Sequence, residues 1–424
     1  MKYSEFRMEA LKAWKELPEE QNEMYKHHYL GLAAEISEMA EKAAGESEEK
    51  EALQSLSAQI ESLTGVKIDV LVSNNSFISN SRFVRLAEDE TELLEFKQHT
   101  NMEDKLVSLI HAKSQRNLIF EVPAGEHATI SMLVLASHSP LYGQVFIRLG
   151  EHSTLSMFEL CMSHTNSPLS ALLHEASISK HAKAEINIIR NEMAQTTVLN
   201  FCKAKVEENA HLKANVLYNG GGKIKSRSIV ACVGPTATSE INESILGTEA
   251  QKFDLYTYLV NDAPKTICHS ETKAVLMGKS YGYVKGFAKI NKGAVDSRSY
   301  VEERGLILEK GAYINLIPDM SIDENEVKAT HSGASAPIDQ DSLFYMMSRG
   351  TDLPMARRLI INGFFGEILS KMENNDAKRL SLALMHDKSV SGKVGHVPTV
   401  DMGELWISEA HGEQSIFGGH YKYR

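Results

Sequence analysis

The chain has 424 residues, of which 42% are hydrophobic, and it carries a formal net charge of −11 at pH 7. This length exceeds the usual size of one compact domain, so we expect several units or one elongated unit. The negative balance argues against nucleic acid as the main partner, because phosphate contacts require a basic surface. No apolar run approaches the roughly 20 residues that a membrane-spanning helix needs, so we expect no membrane insertion.

The N-terminal segment MKYSEFRMEALKAW carries charges throughout and lacks the uninterrupted apolar core of a secretory signal. We therefore expect a cytoplasmic protein. The four cysteines are widely separated and form no CxxC pair. They are Cys161, Cys202, Cys232 and Cys268. This spacing is typical neither of a disulfide framework nor of a local zinc or ferredoxin-type site.

Residues 1–100 are predicted to form an N-terminal domain of helical and mixed structure. Apolar residues recur at helical spacing, as at Leu30, Ile36 and Met39. From Val66 the pattern changes to the short strands KIDVLV and RFVRLA, which the turn-forming SNNSFISNS separates. We expect a few helices that pack on one another or on the next unit.

A near-repeat begins at Glu121. The segment GEHATISM starts at Gly125 and recurs as GEHSTLSM from Gly150, 25 positions later by residue number. Weaker echoes follow at His181-Ala182 and Asn209-Ala210. Between the echoes lie alternating runs such as AEINIIR and HLKANVLY, whose successive residues face opposite sides of a strand.

A repeat of 20 to 30 residues, with small residues at one turn and β-branched residues on either side, is typical of a solenoid. We therefore predict a mainly β fold: a right-handed parallel β-helix of about eight or nine coils, flanked by N-terminal and C-terminal helical regions. The predicted β-helix core occupies residues 101–325. Both ends of such a rod need caps, and the flanking helices are the candidates.

The alternative fold is an antiparallel β-sandwich. Hairpin turns would favour it, but NG and GG dipeptides coincide only once, in the run Asn219 to Gly222. We interpret that run as a corner of one coil. It lacks the Gly-Lys-Ser/Thr of a P-loop and opens no helix, so we expect no nucleotide site on this chain.

The segment from Val327 to Phe365 predicts a strand end, a polar loop that holds His331, and two short helices. Asp339 can cap the first helix and Gly350 can end it. Thr351 or Asp352 can cap the second, with Pro354 in its first turn. We assign residues 326–388 to a C-terminal helical domain and residues 389–424 to a C-terminal extension.

This segment, with its LFYMMSRG run and a helix that ends in Gly-Phe, resembles the C-terminal signature of the SufB/SufD family of iron–sulfur cluster assembly proteins. The resemblance extends upstream to Glu271. It implies a scaffold subunit that binds the ABC-type ATPase SufC and pairs as a homodimer or as a SufB/SufD-type heterodimer. It also implies a transient iron–sulfur cluster held at the paired site.

Two residues are candidates for binding that cluster or its metal. SufB-type members carry a cysteine two residues before the loop histidine, and Ala329 stands there in this chain, which makes it SufD-like. His331 remains as the first candidate, although a loop histidine bonded to the backbone is the plainer alternative. Cys268 is the second, because the neighbouring His269 could lower the pKa of its thiol if the geometry allows, whereas buried cysteines usually only pack.

The helices have a second predicted role. Their apolar residues can cover the end of the solenoid or present a surface to another protein, and we expect both uses at once. The predicted partner-binding residues are Phe344, Tyr345, Met346, Met355 and Leu359. In the family that the chain resembles, this region docks SufC.

The sequence thus favours a scaffold subunit with no catalysis of its own. The alternative is a structural paralogue that stabilises the ATPase complex and supports iron acquisition without ligating a cluster. β-Helix enzymes that cut polysaccharides are the competing enzyme class. The missing secretory signal argues against them.

Overall fold

The computed structural model describes residues 3–17, 30–40, 49–87, 105–114, 116–164 and 167–396. Most of the predicted C-terminal extension, residues 397–424, lies outside the described residues. Within the described part, strands wind back and forth between two ten-stranded sheets. Each coil contributes one strand to each sheet, and the main apolar core lies between them.

Sheet A holds ten strands that are consecutive in space. They are, in spatial order, β2 (Phe77–Ser79), β1 (Val70–Ser73), β5 (His127–Ala136), β7 (Thr154–Ser163), β9 (Lys183–Arg190), β11 (His211–Tyr218), β13 (Thr238–Gly247), β15 (Ile267–Leu276), β17 (Arg298–Ile307) and β20 (Lys328–Pro337).

Sheet B lies on the other side of the core from sheet A. Its strands are β18 (Tyr313–Leu316), β16 (Tyr281–Ile290), β14 (Lys252–Asn261), β12 (Lys223–Cys232), β10 (Thr197–Val206), β8 (Leu169–Ile178), β6 (Leu141–Leu149), β4 (Arg116–Val122) and β3 (Val84–Leu86), with β19 (Asp319–Ile322) beside β16.

Neighbouring strands of both sheets are parallel from β4 and β5 onward, and the described antiparallel pairs are β1 with β2 and β3 with β4. The result is a parallel β-solenoid of about eight turns, which confirms the predicted fold class and excludes the sandwich. The alternation of apolar and polar residues along the strands explains this fold, since each strand presents one apolar row to the core. Strand β20 extends sheet A to Pro337, beyond the predicted limit of the β-helix core at residue 325.

The repeat length read from the sequence is two residues short of the structural register. Ile130 pairs with Met157, and Met132 pairs with Glu159, so these coils are offset by 27 positions instead of 25. A register shift of two residues keeps every side chain on the same face of the sheet. The two repeated segments therefore still resemble each other at an offset of 25 positions. Gly125 and Gly150 are therefore not equivalent: Gly125 turns with φ +74°, whereas Gly150 lies so close to Ala124 that a Cβ would clash.

One corner of the solenoid repeats with the same backbone. The residue two positions before each sheet A strand has positive φ from β5 to β17. These residues are Gly125, His152, His181, Asn209, Thr236, Lys265 and Asp296. In the coils from Ser153 to Ser297, the residue that follows each positive-φ residue is small and buried, as at Ala182 and Ala210, because the chain enters the core there. A left-handed conformation costs a non-glycine residue about 1 kcal/mol, which the stacked coils sustain.

The glycine run between β11 and β12 forms another corner, as predicted. A Cβ on Gly220 would lie 2.2 Å from the backbone nitrogen of Glu192 in the coil below. A Cβ on Gly222 would lie 1.9 Å from the carbonyl oxygen of Ala194. Only glycine permits this close stacking.

In the described part of the N-terminal region, four helices precede or flank the first coils: α1 (Tyr3–Glu16), α2 (Ala33–Ala40), α3 (Glu49–Thr64) and α4 (Lys105–Lys113). Trp14, Leu32 and Ile36 pack with Leu199 and Phe201 against the outer face of sheet B. Among the described residues, no helix is long and apolar enough to cross a membrane.

Three helices follow the solenoid: α5 (Gln340–Ser348), α6 (Leu353–Ser370) and α7 (Asn375–Ser391). The side chains of Asp339 and Asp352 accept hydrogen bonds from backbone N–H groups in the first turns of α5 and α6, as the sequence predicts. Their buried residues pack on the outer face of sheet A, where Ile361 and Phe365 join Val275 in a second core cluster. These helices therefore cover a side of the rod.

Candidate functional site at the edge of sheet A

The edge strand β20 carries His331. The predicted polar loop is in fact a strand, since all ten residues of β20 pair with β17. His331 lies opposite Val301, is exposed, and has Nδ1 3.0 Å from the carbonyl oxygen of Pro318. The histidine is thus held by the backbone at one nitrogen, while Nε2 is available for a ligand.

Glu324, a carboxylate that precedes β20, is held by backbone N–H groups. Glu324 accepts hydrogen bonds from the backbone N–H groups of Gly293 and Asn325. These bonds lower the pKa of Glu324, the Gly293 bond most of all. Its carboxylate serves the turn between β19 and β20.

Cys268 lies inside the core. It is fully buried on the inner face of β15, with its sulfur 3.5 Å from the sulfur of Cys232. His269 follows it in the strand and faces the other way, into an outer groove of about 400 Å³ that Glu240 and Tyr300 also line. The expectation that His269 activates this thiol is therefore wrong. The hydrogen bond to Cys232 and burial both raise the pKa of Cys268.

Cys268 and His331 share the inner face of sheet A but not one ligand shell. Cys268 pairs with Ser299, which pairs with Ala329, so the cysteine lies two strands below the edge. Strand spacing and rise place about 12 Å between the α-carbons of Cys268 and His331. Across the described ranges, no group of three or more His, Cys, Asp or Glu side chains could hold a metal ion.

The exposed surface of α5 and α6 is apolar. Phe344 is 73% exposed and Tyr345 58%, and four further side chains continue this surface. We call this the apolar helix face: Phe344, Tyr345, Met347, Leu353, Met355 and Leu359. Met346, one of the predicted partner-binding residues, instead packs against the second core cluster. Met347 and Leu353 were missed because helical spacing does not say which face meets the solenoid.

Ion pairs attach α6 and the residues after it to sheet A. Lys371 contacts Glu271 at 2.7 Å and Glu240 at 3.1 Å. Lys273 contacts Glu367 at 2.7 Å. Although burial opposes its charge, the two carboxylates raise the pKa of Lys371. We call these contacts the ionic clasp; they fix the orientation in which α6 presents its outer face.

Charged residues also lie inside the solenoid, which the sequence analysis did not anticipate. Glu159 is fully buried, with an oxygen 2.9 Å from His174 Nε2. The other oxygen accepts a hydrogen bond from Cys161 at 3.0 Å. Burial would raise the pKa of Glu159, but the charge and hydrogen bond of His174, the Cys161 hydrogen bond and the Arg190 charge together lower it. The sequence does carry a signal for this burial. Glu159 alternates in step with Met157 and Cys161 in β7, so all three side chains lie on the same face of the strand.

Glu303 is a buried carboxyl directly below the edge strand, opposite Gly333 of β20. One carboxylate oxygen of Glu303 accepts the backbone N–H of Gly286 at 2.5 Å. Burial raises the pKa of Glu303 to about 8. This carboxyl is therefore largely protonated at neutral pH.

The chain matches the family model "SUF system FeS cluster assembly, SufBD core domain" over residues 112–364, which is more than half of its length. That stretch includes most of the solenoid, the edge strand and the apolar helix face. The match therefore covers the elements that build the candidate site.

Three similar proteins have related names. "Protein ABCI7, chloroplastic" of Arabidopsis thaliana is 25% identical over 206 residues, which cover 48% of this chain and 43% of that protein. An iron–sulfur cluster assembly SufBD family protein of Mycobacterium tuberculosis is 27% identical over 212 residues, covering 47% and 53%. One of Mycobacterium leprae is 24% identical over 286 residues, covering 66% and 33%.

The chain thus spans about half or less of the length of these relatives. The family assignment rests on the core-domain match and on a solenoid that runs through it. The chain belongs to the SufBD family of SUF-system iron–sulfur cluster assembly proteins.

Proposed function

We propose that this chain is a SufD-like scaffold subunit that binds a SufC-type ABC ATPase through its apolar helix face and a second SufBD chain through β20. The observation that carries the proposal is the apolar helix face. The partnered site would hold a nascent cluster as cargo, and we expect cytoplasmic action. The chain itself would hydrolyse no nucleotide.

The apolar helix face has the features of a docking surface. Phe344 and Tyr345 are more than half exposed, although folding could have turned them inward like Leu343. Large exposed aromatic and methionine side chains are the residue types that anchor protein interfaces. The ionic clasp holds the helix that carries half of this face, so a force on the face would reach sheet A directly.

The edge strand supports pairing with a second chain. Among the described strands, β20 has a neighbour on one side only, and no residue in it is buried. An exposed edge of this length is a template for strand addition unless a partner or a charge blocks it. Its side chains are mostly small, as at Ala329, Ser332 and Gly333, which permits close approach of another backbone.

A cluster held here would take donors from both chains. His331 is the exposed candidate on this chain, whereas Cys268 lies two strands inside. The absence of a three-donor group among the described residues favours a site completed by a partner.

The docking test uses the full chain and the SufC-type ATPase of the same organism, with affinity measured by calorimetry. The double variant Phe344→Ser/Tyr345→Ser should weaken binding about a hundredfold, because two anchors are lost. The matched control is Val390→Ser on α7, whose side chain is 61% exposed outside the apolar helix face. Equal affinity of both variants and the wild type would contradict the docking role.

The structural paralogue remains the second candidate, and Ala329 favours it because the SufB-type cysteine is absent. Anaerobic reconstitution with iron and sulfide, with and without the ATPase and a SufB-type chain, separates the two. Charge-transfer absorption that His331→Ala abolishes would support a ligand on this chain. Absorption unaffected by His331→Ala would assign the ligands elsewhere and leave the supporting role.

A further inference from the structure

Two thiols meet inside the solenoid at a corner between the sheets. Cys232 is the last residue of β12 in sheet B, and Cys268 is the second residue of β15 in sheet A. Their sulfurs are 3.5 Å apart, and both side chains are fully buried. The residues are 36 positions apart and belong to successive coils, so a bond between them would join both coils and both sheets.

The surroundings of this pair are more polar than those of a packed core. Ser239 on β13 and Ser299 on β17 flank Cys268 in the sheet A register. Both serines are buried, and the Ser239 hydroxyl interacts with both thiols, which favours their charged forms. Two buried serine hydroxyls thus neighbour Cys268 in the register, and a hydroxyl that hydrogen-bonds a thiolate favours its charged form.

We propose that Cys232 and Cys268 form a redox pair that a small peroxide oxidises to a disulfide. The Cys232 sulfur attacks one peroxide oxygen, the O–O bond breaks, and one water leaves to give a sulfenic acid. The Cys268 sulfur then attacks the Cys232 sulfur, the S–O bond breaks, and a second water leaves. Two thiols and one hydrogen peroxide thus become one disulfide and two waters, with two electrons passing from sulfur to oxygen.

The hydrogen bond between the thiols selects the attacking sulfur. Cys268 donates it, which lowers the pKa of Cys232 and raises that of Cys268. Cys232 is therefore the nucleophile and Cys268 the resolving thiol. Forming the disulfide requires the two sulfurs to close from 3.5 Å to roughly 2 Å.

The other two cysteines provide an internal comparison. Cys161 donates to the carboxylate of Glu159 at 3.0 Å, and Cys202 lies 3.9 Å from the side-chain amide of Asn200. Neither contacts a second thiol within the described structure. Peroxide should therefore leave these two as free thiols.

The test treats the reduced full chain with hydrogen peroxide, blocks remaining thiols in denaturant, and maps tryptic peptides without reductant. Cys232 and Cys268 fall in separate peptides, residues 228–252 and 266–273. We expect a linked pair about two mass units lighter than their sum, with two of the four thiols lost and both recovered by dithiothreitol.

Cys232→Ser should abolish the linked peptide, whereas Cys161→Ser should leave it unchanged. The wild-type map alone overturns the proposal if Cys232 and Cys268 stay free while Cys161 or Cys202 reacts, or if other pairs form. The assay uses neither iron, sulfide nor ATPase, so its outcome is independent of the proposed scaffold function.

Discussion

Strands β15 and β20 belong to the same sheet and have the same length, yet their environments are opposite. In β15 the last seven residues are all buried, whereas β20 has no buried residue. The inner row of β15 ends in Ala274 and Leu276, while the matching row of β20 ends in Ser335 and Pro337. Interior strands are selected for packing, and the edge strand is selected against exposing apolar surface until a partner covers it.

The largest effect should come from the interior. Phe253 is fully buried in the core between the sheets, so Phe253→Ala should lower the free energy of unfolding by about 4 kcal/mol. Urea denaturation followed by circular dichroism measures it. Tyr313→Ala, which removes a 49% exposed ring from the last coil, is the control and should cost about 1 kcal/mol or less. Similar losses of unfolding free energy for the two variants would contradict the proposed difference between interior and exposed positions.

Glu303 provides a second test of the difference between interior and edge, because it is an interior carboxyl one strand below the edge. The pKa of Glu303 is about 8 in the folded chain, against 4.5 for an ordinary glutamate in an unfolded chain. Between these values the folded state keeps a proton that the unfolded state has released, so stability falls as pH rises through this window. From about pH 5 to about pH 9 the wild type should lose about 4 kcal/mol of unfolding free energy relative to Glu303→Gln.

Urea denaturation at each pH provides the measurement for Glu303. Glu302→Gln is the control, since Glu302 is partly exposed and pairs with Arg304. Parallel pH profiles of the wild type and Glu303→Gln would refute the assignment.

The ionic clasp should contribute less. Lys371→Ala leaves Glu240 without this ion pair, while Glu271 keeps its contact with Lys273, and should lower the free energy of unfolding by about 1–2 kcal/mol. The loss should shrink in high salt. Arg304→Ala, which removes an exposed pair, is the matched control with an expected change of about 0.5 kcal/mol or less. Salt titration of the denaturation midpoint distinguishes the two.

The smallest effect on stability should come from the edge. Thr330→Lys on β20 adds a charge to an exposed strand. The free energy of unfolding of the isolated chain should therefore change by about 0.5 kcal/mol or less. The same variant should weaken association with a second SufBD chain about tenfold, which sedimentation velocity of the mixture measures. Unchanged association would show that the partner uses another surface.

Local signals alone predicted several elements correctly. Asp339, Asp352 and Gly350 mark helix ends because capping depends on neighbours within one turn. Alternating runs separated by small residues indicated the solenoid because each coil repeats the same demands on its strands. These features depend on sequence distances of a few residues, which a single chain displays directly.

Long-range features were beyond such reasoning. The offset of 27, the strand that carries His331 and the pairing of Cys268 with Cys232 all depend on which residues stack across coils. Two residues of shift keep each side chain on its face, so alternation cannot choose between registers.

By itself, the sequence determined the class of fold, the helix caps and the family, because these follow from periodicity and short motifs. Only the tertiary structure decided that Cys268 faces another thiol, that Glu159 and Glu303 lie inside, and that Phe344 faces outward. The physical reason is that burial depends on the packed assembly of coils and helices, in which neighbours on adjacent strands are about 27 to 31 residues apart in sequence.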